Sequence, residues 1–204
     1  MKAVQINAYG GPEVLEVKEI PTPSPKKDQI LVEVYAAGLN PFDATLRSGA
    51  LKAMIPLQFP ATPGGDFAGV VARVGEEVSY FKVEDEVYGT AISLRGGSGA
   101  YAQFAAANTA NSALKPKTAS FEEAAGLPLV GVSAVQALEE HIKLEPGEKI
   151  LIHGGAGGIG HVAIQLAKSI GAYVATTVSA GDIEFVKQLG ADEVIDYSKE
   201  DYAE

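Results

Sequence analysis

The sequence predicts an α/β protein in which a β-rich part, forming a small barrel or sandwich, precedes a parallel, doubly wound sheet. Three observations predict this class: short strand candidates with few helices before residue 110, a change of pattern at Ser120, and alternating strands and helices from Ile150 to Asp196. We therefore expect two domains, residues 1–115 and residues 116–204.

The N-terminal part contains a series of short strand candidates separated by turns. Glycine, proline and serine punctuate the chain at Gly10–Pro12, Pro21–Pro25 and Gly96–Gly99. Evenly spaced short strands of this kind are typical of a small barrel or a sandwich. The candidates are Ala3–Ala8, Leu15–Ile20, Ile30–Ala37, Phe67–Val74, Glu86–Thr90 and Ala100–Ala105.

Helical signals begin at Ser120, which has the spacing of a capping box with Glu123. A second helix is predicted over Val130–His141. The rest alternates between strands and helices, which indicates a parallel sheet with right-handed crossovers. Because only three strands of the doubly wound fold are present, we expect a chain truncated after its first half. The elements are strands Ile150–His153, Tyr173–Val178 and Val194–Asp196, and helices Gly158–Ile170 and Ile183–Leu189.

A glycine-rich turn joins the first strand of this sheet to its first helix. Gly155, Gly157 and Gly160 match the G-x-G-x-x-G fingerprint of a dinucleotide site. The first permits a tight turn, the second lets the backbone approach a pyrophosphate, and the third lets helix and strand pack closely. The N–H groups and dipole at the helix start attract phosphates. The alternative is a purely structural turn. The predicted cofactor contacts are Gly155, Ala156, Gly157, Gly158, Ile159 and Gly160.

Composition excludes several classes of function. The net charge of −10 argues against a nucleic-acid groove. No apolar run is long enough to span a bilayer, and the N-terminus is too polar for a signal peptide, so we expect a soluble cytoplasmic protein without a membrane partner. The absence of cysteine excludes disulfides, a catalytic thiol and a thiolate zinc site. The histidines His141, His153 and His161 lack ligand spacing, so no metal site is predicted.

Further motifs occur in order along the whole chain. They are Gly38–Asp43, Arg47–Gly49, Pro63–Val71, Glu123–Leu129, Pro146–Ile150 and Leu189–Tyr197. Together they resemble the medium-chain dehydrogenase/reductase superfamily, specifically its zinc-free quinone oxidoreductase (zeta-crystallin-like) branch. The resemblance implies a GroES-like β-barrel substrate domain, then a Rossmann domain, with the active site between them. It also implies that relatives continue past this chain to complete the Rossmann fold.

The resemblance implies chemistry without zinc. Zinc-dependent relatives carry a cysteine before the region of Asn40 and a Gly-His-Glu segment, which here reads Gly64-Gly-Asp66. Asp66 alone cannot build a tetrahedral zinc site. The implied reaction is hydride transfer from a dihydronicotinamide to a quinone or to the β-carbon of an α,β-unsaturated carbonyl. Such acceptors are already electrophilic, so a hydrogen bond can replace the Lewis acid.

The resemblance gives three candidate catalytic residues, Asn40, Asp43 and Thr45. Asn40 falls on the family position beside the nicotinamide and the substrate, although an Asn before Pro41 is also a common turn residue. Asp43 belongs to the same motif and either takes part in catalysis or braces the loop. Thr45, like Leu51, stands where relatives of this branch carry a tyrosine. No general acid is evident, so water or the cofactor ribose is expected to supply the proton.

Three further residues concern the cofactor. Ser133 replaces a threonine that contacts the nicotinamide in family members. Ser179 ends the second strand, where an NAD site usually has an acid, and this leaves room for a 2′-phosphate. Tyr197 matches a residue lining that phosphate site in relatives. Asp182 aligns with a lysine that such relatives often carry, and it repels a phosphate unless it faces solvent or caps the helix. We predict NADPH, with NADH as the alternative.

The sequence therefore predicts a zinc-independent NADPH-dependent reductase of quinones or enones. We expect a small-molecule substrate, no nucleic-acid partner, and a homodimer of the full-length protein. The alternative hypothesis is a nucleotide-binding protein or fragment without useful catalysis, as in the crystallin role known in the family.

Overall fold

The computed structural model describes residues 1–199, so residues 200–204 of the second predicted domain lie outside the described part. The chain divides into two compact units, the first ending at Leu129 and the second beginning at Val130. Residues 116–129 thus group with the first unit, since a helix in this segment packs on that unit's strands.

The first unit is built on antiparallel strands. They are β1 (Lys2–Gln5), β2 (Glu16–Glu19), β3 (Gln29–Ala37), β4 (Asp66–Val74), β5 (Glu86–Thr90), β6 (Phe104–Asn108) and β7 (Ser112–Leu114). Five form a sheet in the order β6-β3-β4-β5-β7, and β1 pairs with β2. Its apolar core includes Ile30, Phe67 and Val87, all fully buried. This sheet presents the start of β4 to the candidate site described below.

Two helices accompany this sheet. Helix α1 (Pro41–Ser48) follows β3, and helix α2 (Phe121–Ala125) packs against β3, β4 and β5. The predicted capping box at Ser120 is confirmed, because its side chain accepts the N–H of Glu123 and the Glu123 carboxylate accepts the N–H of Ser120. This reciprocal pairing sets where α2 begins.

Several elements of the first unit differ from the sequence prediction; β1, for example, ends at Gln5 and not at Ala8. Helix α1 and strand β7 were not predicted, and β6 begins at Phe104 instead of Ala100. The shift has a long-range cause: the N–H groups of Ala100 and Tyr101 donate to carbonyls of Gly64 and Pro63, at 3.0 and 3.1 Å. Residues 100 and 101 are therefore tied to a loop before β4 and do not extend β6.

The second unit contains the predicted parallel sheet. Its strands are β8 (Lys149–His153), β9 (Tyr173–Val178) and β10 (Glu193–Asp196), in the order β10-β9-β8. The helices are α3 (Pro128–Val135), which spans the boundary between the units, α4 (Gly158–Ile170) and α5 (Ile183–Gln188). The alternation of strand and helix is confirmed. The predicted helix Val130–His141 is instead α3 followed by a π-helical segment, Gln136–Ile142.

Candidate functional site

A polar cluster with two buried carboxylates and two half-buried members lies at the start of α1 in the first unit. We define it as Asn40, Asp43, Asp66 and Tyr101. Asn40 is the N-cap of α1 with an extended backbone, and Pro41 occupies the first helical turn, where its fixed φ favours helix entry. Asp66 begins β4 and is only 3% exposed. The fold thus brings Asn40, at the start of α1, close to Asp66, at the start of β4.

Two carboxylates hold Asn40. Asp43 accepts its backbone N–H at 2.9 Å, and Asp66 Oδ2 accepts its side-chain Nδ2 at 2.9 Å. Because an ionised carboxylate can only accept hydrogen bonds, the amide nitrogen and not the amide oxygen faces Asp66. The side-chain amide of Asn40 therefore has a defined orientation.

Each carboxylate has a second donor. Asp66 Oδ2 also accepts the backbone N–H of Leu129, at 3.1 Å, in the first turn of α3. Asp43 Oδ2 accepts the hydroxyl of Tyr101 at 3.0 Å. Buried acids need such donors, because an unpaired buried charge is costly. The cluster therefore links β4, α1, α3 and the loop before β6 through hydrogen bonds that are mostly charge-assisted.

Burial raises the pKa of two members of this cluster, Asp66 and Tyr101. Burial raises the pKa of the Asp66 carboxyl, hydrogen bonds from Asn40 and Leu129 oppose the rise, and the charge of Asp43 adds to it. Burial likewise raises the pKa of the Tyr101 phenol, and the adjacent Asp43 carboxylate raises it further. Tyr101 is consequently a protonated donor at neutral pH.

The raised pKa of Asp66 predicts a pH-dependent stability. Since folding favours the protonated carboxyl, this contribution is complete below the unfolded pKa and is lost as pH rises through the folded pKa. From about pH 4 upward, we expect the free energy of unfolding of the wild type to fall relative to that of Asp66→Asn. Chemical denaturation across a pH series measures this difference, and parallel profiles for the two proteins would contradict it.

Thr45 lies one turn into α1 and is half-buried. Its hydroxyl donates to the carbonyl of Pro41 at 2.9 Å, so its proton is engaged within the helix. The structure thus brings the three candidate catalytic residues, Asn40, Asp43 and Thr45, to one helix start. It joins the first two by a hydrogen bond.

The glycine loop, residues 154–160, connects β8 to α4 in the second unit. Gly154 has the positive φ, 70°, that the tight turn requires, whereas the sequence assigned the turn to Gly155. The N–H groups of Gly154 and Gly155 donate to the carbonyl of Thr177, at 3.1 and 3.2 Å. Thr177, on the neighbouring strand β9, therefore anchors the start of the loop.

The other glycines of this loop differ in the space around them. A Cβ on Gly155 would collide with Thr176 Oγ1, and one on Gly160 would collide with the carbonyl oxygen of Gly154. Gly157 is exposed, and a Cβ there would meet only the Gly154 carbonyl oxygen, at 3.2 Å. Gly155 and Gly160 thus serve close packing. Gly157 leaves an open face that a side chain would fill.

The remaining cofactor candidates lie in several elements. Ser179 and Tyr197 follow the carboxyl ends of the adjacent strands β9 and β10, and the N–H of Tyr197 donates to the carbonyl of Val178 at 3.3 Å. With the glycine loop after β8, they share the edge where dinucleotides bind to such sheets. Ser133 lies apart, in α3, and is half-buried. In the loop and the first turn of α4 lie Ala156, which is half-buried, and Gly158 and Ile159, which are exposed.

Asp182 does not cap α5 with its side chain. Although it occupies the N-cap position, its carboxylate accepts the hydroxyl of Ser179 at 2.7 Å. Ser179 therefore presents a hydroxyl that is already donating, next to a negative charge. This arrangement bears directly on the predicted 2′-phosphate contact.

Sequence reasoning missed three positioning residues: Asp66 as a hydrogen-bond partner, Tyr101 and Thr177. A single acid directly before the apolar run Phe67–Ala72 was the available signal for Asp66, since such an acid must be paired when buried. Tyr101 and Thr177 carry no comparable local signal, because their partners lie 58 and 23 residues away.

Comparison with known families accounts for most of the chain. The family described as "Alcohol dehydrogenase GroES-like domain" matches residues 26–117, and the family described as "Zinc-binding dehydrogenase" matches residues 158–204. Together with the α/β fold and the glycine loop, these matches show that the chain belongs to the medium-chain dehydrogenase/reductase superfamily. The predicted GroES-like and partial Rossmann regions are confirmed.

Individual relatives agree with this family. The chain is 41% identical to the chloroplast envelope quinone oxidoreductase homolog of Arabidopsis thaliana, covering 97% of this chain and 61% of that protein. It is 44% identical to an NADPH-dependent alkenal/one oxidoreductase of the same plant, covering 98% and 53%. The Escherichia coli quinone oxidoreductase solved with NADPH is 33% identical, with a TM-score of 0.86, covering 98% and 60%. The chain thus spans roughly three fifths of its relatives' length.

Residues 1–199 lack two features. No helix there has the length and apolar character needed to cross a bilayer. No group of three or more His, Cys, Asp or Glu side chains in the same part of the chain is placed to hold a metal ion.

Proposed function

We propose that the protein is a zinc-independent NADPH-dependent oxidoreductase that transfers a hydride to a quinone or to an α,β-unsaturated carbonyl. The observation that carries the proposal is the side-chain amide of Asn40, which Asp66 holds in one orientation. Because one N–H of this amide donates to the buried carboxylate, its second N–H is a preorganised donor for an oxygen that gains negative charge. The relatives named as a quinone oxidoreductase homolog and as an alkenal/one oxidoreductase support this acceptor class.

Besides the Asn40 amide, the proposed reaction needs no further catalytic side chain. A bound dihydronicotinamide would supply the hydride, which would form a C–H bond at the β-carbon of an enone or reduce a quinone. The π electrons of the acceptor move to its carbonyl oxygen, where the Asn40 N–H stabilises the charge. Water or the cofactor ribose then supplies the proton, since Tyr101 donates to Asp43 and Thr45 donates within α1. Catalysis thus depends on positioning and electrostatics.

The residues of the second unit fit a dinucleotide. The open face of Gly157 and the start of α4 suit a pyrophosphate, because helix N–H groups and the helix dipole attract anions. Ser179 and Tyr197 would lie at the adenosine ribose, and Ser133 would contact the nicotinamide. The NADPH-bound relative and the NADPH-dependent relative support the phosphorylated cofactor.

Zinc does not enter the proposal, and the donor chemistry gives the reason. The chain has no cysteine, and Asp66 is committed to two N–H donors. A catalytic zinc site needs three protein ligands, typically histidine, cysteine or acid side chains. The cytoplasmic location, the homodimer of the full-length protein and the absence of a nucleic-acid partner stay predictions.

A turnover assay tests the function. Purified protein is mixed with NADPH and either a benzoquinone or a 2-alkenal, and NADPH oxidation is followed by its near-ultraviolet absorbance. We expect turnover above the uncatalysed rate with at least one acceptor, and a lower rate with NADH. Binding of NADPH without reduction of any acceptor would instead support the nucleotide-binding alternative.

We expect Asp182→Asn to improve NADPH binding selectively. The substitution removes a charge beside the proposed 2′-phosphate and keeps an oxygen that accepts the Ser179 hydroxyl. One like charge at a solvated distance of about 4 Å costs about 1 kcal/mol, so the Kd for NADPH should fall about fivefold while that for NADH changes little. Fluorescence titration with both cofactors measures this. Glu184→Gln, on the exposed surface of the same helix, is the control, and equal tightening of both cofactors would contradict the prediction.

A further inference from the structure

We propose that Asp66 is a positioning residue that aims the side-chain amide of Asn40 at the acceptor oxygen. This inference rests on the proposed function, in which Asn40 is the group that binds that oxygen. It assigns a task to the acid at the position where zinc-dependent relatives carry a different residue.

Asp66 is itself held rigidly. It begins β4, where it pairs with Thr90 of β5, and its backbone carbonyl accepts the N–H of Gly38 at 3.0 Å. The residue is only 3% exposed, and its carboxylate oxygen Oδ2 accepts hydrogen bonds from N–H groups of Asn40 and Leu129. The backbone of Asp66 is thus fixed by the sheet and by Gly38, and its carboxylate is held by the Leu129 N–H, so it can impose a direction on the amide of Asn40.

The amide of Asn40 has two orientations that differ by a half-turn, because its terminal torsion is broad and roughly two-fold. One places an N–H against Asp66, and the other places the amide oxygen there. The second orientation is unfavourable, because the amide oxygen and the carboxylate oxygen are both hydrogen-bond acceptors and would face each other without a proton between them. The opposite side of the amide, with its oxygen and its second N–H, consequently has a defined direction as well.

Asp43 cannot perform this task. It binds Asn40 through the backbone N–H, whose position does not change when the side-chain amide turns. Asp43 therefore fixes where Asn40 stands, and Asp66 fixes which way its amide faces. The two acids of the polar cluster have separable roles.

A pair of variants tests the assignment by activity. Asp66→Ala removes the acceptor, whereas Asp66→Asn retains an oxygen that can accept both N–H groups. We expect kcat to fall at least about tenfold in Asp66→Ala, as misaligned catalytic groups do, and to recover to within about threefold of wild type in Asp66→Asn. Wild-type kcat in Asp66→Ala, or an equal loss in both variants, overturns the assignment. Val87→Ala, a core substitution in the same sheet, is the control for lost stability and should leave kcat unchanged.

A second readout requires no turnover. Heteronuclear NMR resolves the side-chain amide of Asn40, which is identified by its absence in Asn40→Ala. In the wild type we expect its resonances to change with pH as Asp66 titrates, and in Asp66→Ala this change should vanish. If the Asn40 amide resonances do not change as Asp66 titrates, the inference is overturned even if the enzyme is active. If they do change in a protein that reduces no acceptor, the orientation is upheld and the proposed function is ruled out.

Discussion

Gly160→Ala is expected to destabilise the second unit and to abolish measurable NADPH binding. A Cβ at this position collides with the carbonyl oxygen of Gly154 and approaches Gly155 Cα to 2.9 Å. Backbone atoms cannot swing aside as a flexible side chain can, so the loop and the start of α4 must separate. Overpacking of this kind costs at least about 2 kcal/mol of unfolding free energy. Chemical denaturation followed by circular dichroism measures the loss, and fluorescence titration measures binding.

Gly157→Ala provides the matched comparison within the same loop. Its Cβ meets only the Gly154 carbonyl oxygen, at 3.2 Å, so stability should change by less than about 1 kcal/mol. NADPH binding should nevertheless weaken by about tenfold, because the methyl group occupies the face offered to the pyrophosphate. If both variants lost stability equally, the division between packing and ligand-facing glycines would be wrong. If Gly157→Ala bound NADPH normally, the pyrophosphate would not approach this face.

The second unit was predictable because its signals are local. Strand β9 and helix α4 have the bounds that the sequence predicted, since apolar periodicity and glycine breaks act over neighbouring residues. Even here two predictions were wrong: the helix predicted over Val130–His141 continues after Val135 as a π-helical segment, and the glycine with positive φ in the turn is Gly154 and not Gly155. A run of adjacent glycines offers several positions for a positive φ, and contacts with Thr177 select one of them.

The first unit was less predictable because long-range pairing decides its elements. Residues 100 and 101 have the composition of a strand, yet their N–H groups donate to the loop before β4. Helix α1 is only eight residues long and carries too few apolar positions for a clear period. Its start signal, Asn40 with Pro41, and its stop signal, Gly49, are present in the sequence, and Gly49 has a φ of 79° in the structure. These residues were interpreted only as part of a functional family motif, so the helix was not predicted.

The candidate site was predicted in part for the same reason. Asn40 and Asp43 lie in one short motif, and the structure joins them by a hydrogen bond. Asp66 lies 26 residues beyond Asn40, and no spacing rule connects residues so far apart. From the sequence, Asp66 was interpreted only as a residue that cannot build a zinc site alone. Its interaction with the amide follows from burial, because a buried acid takes whichever donors the fold brings to it.

Asn40→Ala is expected to lower kcat by about 10²- to 10³-fold, the loss typical of removing one oxyanion donor. Because Asp66 keeps the Leu129 N–H and the fold loses one hydrogen bond, the free energy of unfolding should fall by about 1–3 kcal/mol. Steady-state kinetics with a quinone and a 2-alkenal measure the first effect, and denaturation measures the second. Ser48→Ala, which removes an exposed hydroxyl from the same helix, should change neither the acceptor range nor kcat.

Combining Asn40→Ala with Asp66→Ala separates the two explanations of any loss. If Asp66 acts only by orienting the amide of Asn40, the double variant should be no slower than Asn40→Ala alone, because there is then no amide left to orient. If the two losses multiply, Asp66 influences the reaction independently of Asn40, for example through its own charge. Strong non-additivity is therefore the expected result. It would show that the acid and the amide of the polar cluster function as one unit.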